Sequence, residues 1–357
     1  MSAPRDLVRL AATLGEPLVL VDVGVRWGFE PRWEGLAPAA RLIGFDADED
    51  ECDVLRRRHG GLAGAEFVAA ALSDRTGAAT LHIAEEPASS SLLEPDAAAI
   101  GRRRGMETMR ETRRTEITTN TLAAWSGVAG VTRVDGLKLD VQGAELAVLH
   151  GAGALLDGIR AIDLEVEFNP IYRGQPLFGD IDAYLRERGF ALWRLGELTH
   201  YGLPDAGNAG TTTERQTFPD GALRRRVGGG QLVWGRARYA RAAVADRPQR
   251  DPWQEHVRDA CVAWAFDLDD IAVAALRRAA ATHSPAAVAL AGLERTAERR
   301  SRWRVAAQRD WTGAAVRLGR VAALTARGYD DEHIARELRL TVANVRLLRR
   351  ALPWVRG

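Results

Sequence analysis

A chain of 357 residues, 46% hydrophobic and 27% charged, with a formal net charge of +1, is long enough for a full α/β domain of about 200 to 250 residues and a smaller one beside it. The near-neutral balance excludes a whole-chain nucleic-acid footprint and a polybasic membrane anchor, while leaving room for a local patch. Cys52 and Cys261 are the only cysteines and stand far apart, which excludes a disulfide framework and a cysteine zinc site and suggests a reducing compartment.

In chain order, MSAPRDLVRLAATLGEPLVLVDV carries acidic and helix-forming residues where a signal peptide needs an uninterrupted apolar core. No later run reaches the roughly 18 apolar residues of a membrane span, so a cytoplasmic protein is expected. Up to about residue 240, short apolar strands alternate with helical or loop segments, the order that builds a mostly parallel sheet with helices on both faces. The predicted strands are LVLVDV (18–23), RLIGFD (41–46), EFVAAAL (66–72), GLKLDV (136–141), IDLEVEF (162–168), FALWRL (190–195) and QLVWGRA (231–237). Seven such strands suit an α/β, doubly wound, Rossmann-like sheet. LAPAA, DECDVLRRRHG, AELAVLHGAGALLD and FGDIDAYLRERG read as helices between them, and TLHI (80–83) as an extra strand beside the third.

Two stretches interrupt the pattern: PASSSLLEPD with the arginine-rich GRRRGMETMRETRR (101–114), and the Gly/Thr-rich run from Gly202 to Gly230. Long connections in such folds often cover a site. The arginine-rich stretch reads first as a solvated helix over the cleft, and second as a recognition element for an anionic acceptor such as a phosphate-bearing sugar. AAVADRPQRDP (242–252) reads as a linker, which sets a sheet domain over residues 1–241 and a helical domain over 253–357. Residues 251–357 carry 18 Arg against 13 acidic residues, so the two halves differ in charge sign as well as in pattern.

Ligands of open α/β sheets bind beyond the carboxyl ends of the strands, where strand order reverses. The first strand runs into Asp22-Val23-Gly24-Val25-Arg26-Trp27-Gly28, and its glycines let backbone N–H groups approach a ligand. The dinucleotide pattern Gly-x-Gly-x-x-Gly is missing, which disfavours a pyrophosphate. Asp46 closes the second strand about twenty residues on, placed to hold the two hydroxyls of a ribose. A ligand with a ribose, a cationic amino-acid end and no phosphate fits these features, and S-adenosylmethionine is such a molecule.

The segments VDVGVRWGFEPRWEGLAPAARLIGFDAD, AALSD, SSSLLEPD, VDGLKLDVQGAELAVLHGAGALL and IDLEVEFNPIYRGQPLFGDIDAYLRERGF, in this order, resemble the FkbM family of S-adenosylmethionine-dependent methyltransferases. The likeness covers residues 18 to about 240, and K-x-D-x-(Q/E)-G-x-E is its most specific part. The resemblance implies a class I methyltransferase fold and O-methyl transfer to hydroxyls of sugars, polysaccharides, polyketides or other secondary metabolites. It also implies that Asp22, Gly24 and Gly28 line the methionine end of the cofactor, that Asp46 holds its ribose, and that Ala71, Leu72 and Ser73 lie beside its adenine. The sequence departs from the commoner family wording at V-R-W-G, where A-N-x-G is usual, and at F-D-A-D, where F-E-P-D is usual. Glycine and acid survive both changes.

Lys138 is the only lysine of the chain. In a strand it shares a face with Asp140 and Gln142, and Asp140 falls near the carboxyl end. Methyl transfer to a hydroxyl needs alignment and removal of a proton from a weak nucleophile, which makes Asp140 and Lys138 candidate catalytic groups. The other reading of Lys138 is a structural ammonium paired with Asp140 or Glu165. Glu165 and Glu167, alternate acids on the next strand, are candidates for the base or for a hydroxyl anchor. No D-x-D or D-N pair is specific enough to assign a metal, and none is expected. His150 and His200 read as structural or solvated.

In the tail, VAALTARGYDDEHIARELRLTVANVRLLRRAL resembles the helix-turn-helix of LuxR-type regulators and the terminal region of sigma factors over residues 316–351. Arg346, Arg349 and Arg350 fall on the exposed side of its second helix. The alternative is a bundle that packs on the sheet domain or forms a homo-oligomer. Two functions follow: an O-methyltransferase with a helical accessory region, or a DNA-binding regulator or scaffold whose sheet domain only binds S-adenosylmethionine.

Overall fold

The computed structural model describes residues 4–206, 212–217, 223–228, 230–295, 330–331 and 334. Seven strands form one sheet: β1 (Leu18–Val23), β2 (Ala40–Asp46), β3 (Ala65–Ala69), β4 (Gly136–Leu139), β5 (Ala161–Glu167), β6 (Phe190–Tyr201) and β7 (Gln231–Arg241). Their order is β3-β2-β1-β4-β5-β7-β6. The first five strands run parallel, and β7 is antiparallel to both β5 and β6. Chain order reverses between β1 and β4, so the crevice expected of such a sheet opens at their carboxyl ends.

The central strands are apolar almost throughout because both faces are covered. On one face, Val21, Ile43, Leu137, Ile162 and Leu164 meet Leu122, Val148, Leu149, Ile181 and Leu185, carried by helices α1 (Leu122–Val128), α2 (Glu145–Ala152) and α3 (Phe178–Glu187). On the other, Leu18, Leu20, Leu42 and Ala161 meet Leu7, Trp33, Trp264 and Phe266. The last two sit at the end of helix α4 (Trp253–Ala265). A Cβ built on Gly136 would lie 2.5 Å from the Phe266 ring, so this helix end rests directly on the sheet.

The compact unit that holds the sheet runs from Met1 to Leu293, with a second unit from Glu294. The boundary expected at 242–252 therefore falls inside the first unit. The physical reason is that α4 is buried on every side from His256 to Ala265, and each large apolar side chain so buried contributes about 1.5–3 kcal/mol. The helix-turn-helix resemblance at 316–351 lies outside the described residues apart from three isolated positions. Among the described residues no helix is long and apolar enough to cross a membrane.

Two readings of the interrupting stretches are corrected. The strand expected at 80–83 exists as Gly77–Ala84, but it pairs antiparallel with Glu111–Asn120 in a separate three-stranded sheet rather than beside β3. The stretch 101–114 is no helix over the cleft. A short helix, Ala97–Gly101, ends there, Arg103 is buried on Gln231 Oε1 and the Pro170 carbonyl, and Glu111 opens a strand. With its guanidinium spent on internal acceptors, Arg103 is a packing residue.

Candidate active site

The loop after β1 is shaped by backbone geometry that few residues adopt. Gly24, Trp27 and Gly28 have φ of +84°, +82° and +94°, and Trp27 does so despite its side chain, which is half exposed. A Cβ on Gly24 would lie 2.0 Å from the Asp140 carbonyl oxygen. The turns after β1 and β4 thus meet backbone to backbone, which only glycine permits. Asp46, partly exposed at the end of β2, accepts the Asp48 amide at 2.9 Å through one carboxylate oxygen. Burial is the main cause that holds it above the usual aspartate range, against the pull of that amide and of Arg26. Ala70 donates to the Asp46 carbonyl, so Ala71, Leu72 and Ser73 leave from beside this acid.

Lys138 goes elsewhere than either sequence reading placed it. Its ammonium donates to Asp22 Oδ1 at 2.9 Å and Oδ2 at 3.1 Å, and both side chains are buried. In the strand register Asp22, Lys138, Asp163 and Arg238 form one row across β1, β4, β5 and β7. Arg236 and Arg238 bond the two Asp163 oxygens. The row alternates in sign, and a compact ammonium fills the place between Asp22 and Asp163 where a third guanidinium fork would need more room. Burial lifts Asp22 to about 6 against the pull of Lys138. Burial is the strongest single influence on the ammonium and works against it, but the charges of Asp22, Asp140 and Glu30 together outweigh it and raise Lys138 above its ordinary range. Asp22 is thus spent inside the sheet, and its side chain does not face the crevice.

One row nearer the strand ends stand Asp140 and Glu165. Gln142 joins them: its side-chain amide donates to Asp140 Oδ1 at 2.9 Å and to Glu165 Oε2 at 2.6 Å. Its amide oxygen accepts the Tyr172 hydroxyl at 3.1 Å, and its backbone carbonyl accepts Ser91 Oγ at 2.7 Å. These bonds hold Gln142 at φ +57°, a left-handed conformation that costs a non-glycine residue on the order of 1–3 kcal/mol. Glu145 and Glu167 complete a group of four acids. Glu145 Oε1 accepts the Val141 amide at 2.8 Å, whereas Glu145 Oε2 and Glu167 Oε2 are buried without a partner. Burial and mutual repulsion push Glu145 up to about 7 and Glu165 and Glu167 well above the carboxylate range. Arg236, the register partner of Glu165, turns to Asp163 and Glu30 instead. Among the described residues no His, Cys, Asp or Glu group is arranged to hold a metal ion.

Of the sequence candidates, then, Asp140, Glu165 and Glu167 gather at one place, Gly24 borders it at the Asp140 carbonyl, Gly28 lies against the His59 ring, and Asp46 with residues 71–73 lies one strand pair away. His150 is exposed on α2 with its ring edge-on to Tyr184, and His200 is on β6, far along the sheet order. Sequence reasoning missed Glu145, Tyr172 and the bridging part of Gln142. Glu145 is the last letter of K-x-D-x-Q-G-x-E, so the motif itself held the signal.

Residues 24–192 match the family model of the methyltransferase FkbM domain. The match to the FkbM methyltransferase domain takes in just under half of the chain. A curated relative, the 2-O-methyltransferase NoeI of Sinorhizobium fredii (strain NBRC 101917 / NGR234), is 28% identical over 173 residues, spanning 46% of this chain and 70% of that protein. Among solved structures, the magnesium protoporphyrin IX methyltransferase of Synechocystis PCC 6803 with bound SAM is 14% identical, with a TM-score of 0.29, over 67% of this chain and 79% of that one. The 1,6-didemethyltoxoflavin-N1-methyltransferase of Burkholderia thailandensis, with bound S-adenosylhomocysteine, is 17% identical, with a TM-score of 0.25, over 66% and 76%. The methyl donor of the FkbM domain is S-adenosylmethionine. The residues present fit it: Gly24 and Gly28 give the turn at the end of β1 a left-handed backbone with no side chain at either position, and unpartnered carboxylate oxygens of Glu145 and Glu167 stand where a cationic group is favourable.

Proposed function

We propose that the protein is an S-adenosylmethionine-dependent O-methyltransferase acting on a hydroxyl of a sugar, polysaccharide or secondary metabolite. The observation that carries this reading is the Asp140–Gln142–Glu165 group at the carboxyl ends of β4 and β5, beside the switch point of the sheet. The relative named as a 2-O-methyltransferase supports a hydroxyl acceptor. When bound, the cofactor supplies a methyl group on a cationic sulfur. Backbone around Gly24 and Gly28 receives its amino-acid end, Asp46 accepts hydrogen bonds from its ribose hydroxyls, and Ala71, Leu72 and Ser73 border its adenine.

Asp140 takes the proton of the acceptor hydroxyl as the oxygen becomes nucleophilic, a role worth typically 10²–10⁴ in rate for a positioned base. Glu165 and Glu167, whose carboxyl groups burial and the neighbouring acids hold above the usual carboxylate range, offer oxygens that anchor acceptor hydroxyls. Lys138 has no part in proton transfer. Its place is to neutralise Asp22 and to lock β4 to β1.

Titration calorimetry with S-adenosylhomocysteine tests the cofactor site. Binding by the wild type and a loss of affinity of about tenfold or more in Asp46→Ala, the scale of hydrogen bonds to a charged acceptor, are expected. Equal affinity in the variant removes Asp46 from the site. Transfer of a labelled methyl group to a panel of hydroxylated sugars and metabolites, lost in Asp140→Asn, tests the chemistry. An Asp140→Asn variant of undiminished rate rules Asp140 out as the base.

A further inference from the structure

The four acids at the strand ends are an unbalanced buried charge. Asp140 follows β4, Glu145 opens α2, and Glu165 and Glu167 lie on β5. The cations nearest to them are committed, Lys138 to Asp22 and Arg236 to Asp163 and Glu30. Among the described residues none of the four forms an ion pair. The other titratable group facing them is Tyr172, whose hydroxyl burial and the surrounding acids keep neutral. Ionising every acid here would gather several negative charges in a largely enclosed site, which is disfavoured until something positive arrives.

The geometry says which proton. The Gln142 amide nitrogen bonds one oxygen of Asp140 and one of Glu165, which brings the two carboxyl groups together. Gln142 is in turn fixed by Tyr172 and Ser91, and Gly143 behind it has φ +94°, a conformation that strains any residue with a side chain. The clamp is held in a strained conformation by several independent contacts, a pattern associated with function rather than with folding.

We propose that Gln142 is a positioning residue that clamps Glu165 against Asp140 as a pair holding one proton, and that Glu165 gives up this proton when a cationic methyl donor binds, leaving the pair charged and Asp140 ready to receive the acceptor's proton. The inference rests on the reading of this site as that of the methyl donor. The released proton goes to solvent on binding. In the later transfer the acceptor oxygen forms its bond to the methyl carbon with a lone pair, the electron pair of the carbon–sulfur bond stays on sulfur, and the hydroxyl proton passes to Asp140. The clamp therefore makes the base available only when there is a methyl group to transfer.

S-adenosylmethionine and S-adenosylhomocysteine share their nucleoside and amino-acid parts and differ at sulfur, cationic in the first and neutral in the second. Calorimetry of the full chain with each, in buffers of different ionisation enthalpy, counts the protons exchanged on binding. Release of about one more proton with S-adenosylmethionine than with S-adenosylhomocysteine is expected, following from proton linkage. In Glu165→Gln that difference disappears while S-adenosylhomocysteine still binds. In Gln142→Met the pH of half-maximal release moves, a readout that loss of packing alone leaves in place. Equal proton counts for the two ligands, or an unmoved midpoint in Gln142→Met, overturn the proposal. Binding of neither ligand to the folded wild type overturns the cofactor reading and this inference with it.

Discussion

The sheet has a buried charge cluster at each end, and the two are built on opposite terms. At the amino end of β5, Arg160 bonds Asp135, Glu255 and Asp259, Arg247 bonds Asp259, and Arg258 reaches Asp135. Acids and arginines alternate there, and the network ties α4 to the sheet. At the carboxyl end, Asp140, Glu145, Glu165 and Glu167 have an amide and a phenol for company, and two oxygens have nothing. A balanced cluster is complete without a ligand. An unbalanced one stores free energy that a bound cation releases.

Breaking the balanced end has the larger effect on stability. Arg160→Met leaves Asp135 and Asp259 buried beside too little positive charge, and a loss of about 3–5 kcal/mol is expected, read as a lower urea midpoint at constant slope. Lys138→Met comes next, because it leaves Asp22 buried without its ammonium partner. Lys138→Arg keeps the charge and adds volume, so a cost of about 1–3 kcal/mol is expected from overpacking, with S-adenosylhomocysteine binding retained.

A pH-dependent effect sharpens the contrast by its sign. Glu145 is held up to about 7, chiefly by burial. A carboxyl group whose folded value is raised contributes stability that is fully present below its ordinary value near 4.5 and is lost as pH rises through 7. Glu145→Gln cannot ionise, so its stability relative to the wild type should improve from pH 5 to pH 8. A constant difference across that range would mean that Glu145 is not held protonated by the fold. Asp163 in the balanced row behaves in the opposite way: burial raises it, but Arg236 and Arg238 bring it below its ordinary value.

These two ends were not equally legible in the sequence. All seven sheet strands stand out, because a strand covered on both faces is a continuous apolar run bounded by turn residues. Glu111–Asn120 does not, since its exposed alternate positions are arginine, threonine and glutamate and nothing marks it off from a solvated loop. The carboxyl-end acids were visible as a motif, and the glycine turn after β1 as a turn. Which acid faces which cation was not visible. Lys138 and Asp22 are 116 residues apart, and only the parallel register of β1 and β4 makes them neighbours. The role of Gln142 depends on a left-handed backbone that its residue type does not advertise. For the same reason an alanine-rich helix after an apparent linker was read as a separate domain, although composition alone cannot tell a helix that packs on its own kind from one that packs on a sheet.

That helix has a practical consequence for anyone wishing to transplant the domain. The segment resembling other methyltransferases ends at residue 192, and the polar stretch after β7 invites a cut near residue 250. Such a cut would remove Trp264 and Phe266 and uncover Leu18, Leu20 and Gly136, a greasy patch in the middle of the sheet. The excised piece should clump rather than fold, and a portable version of this domain has to carry its own lid out to about residue 293.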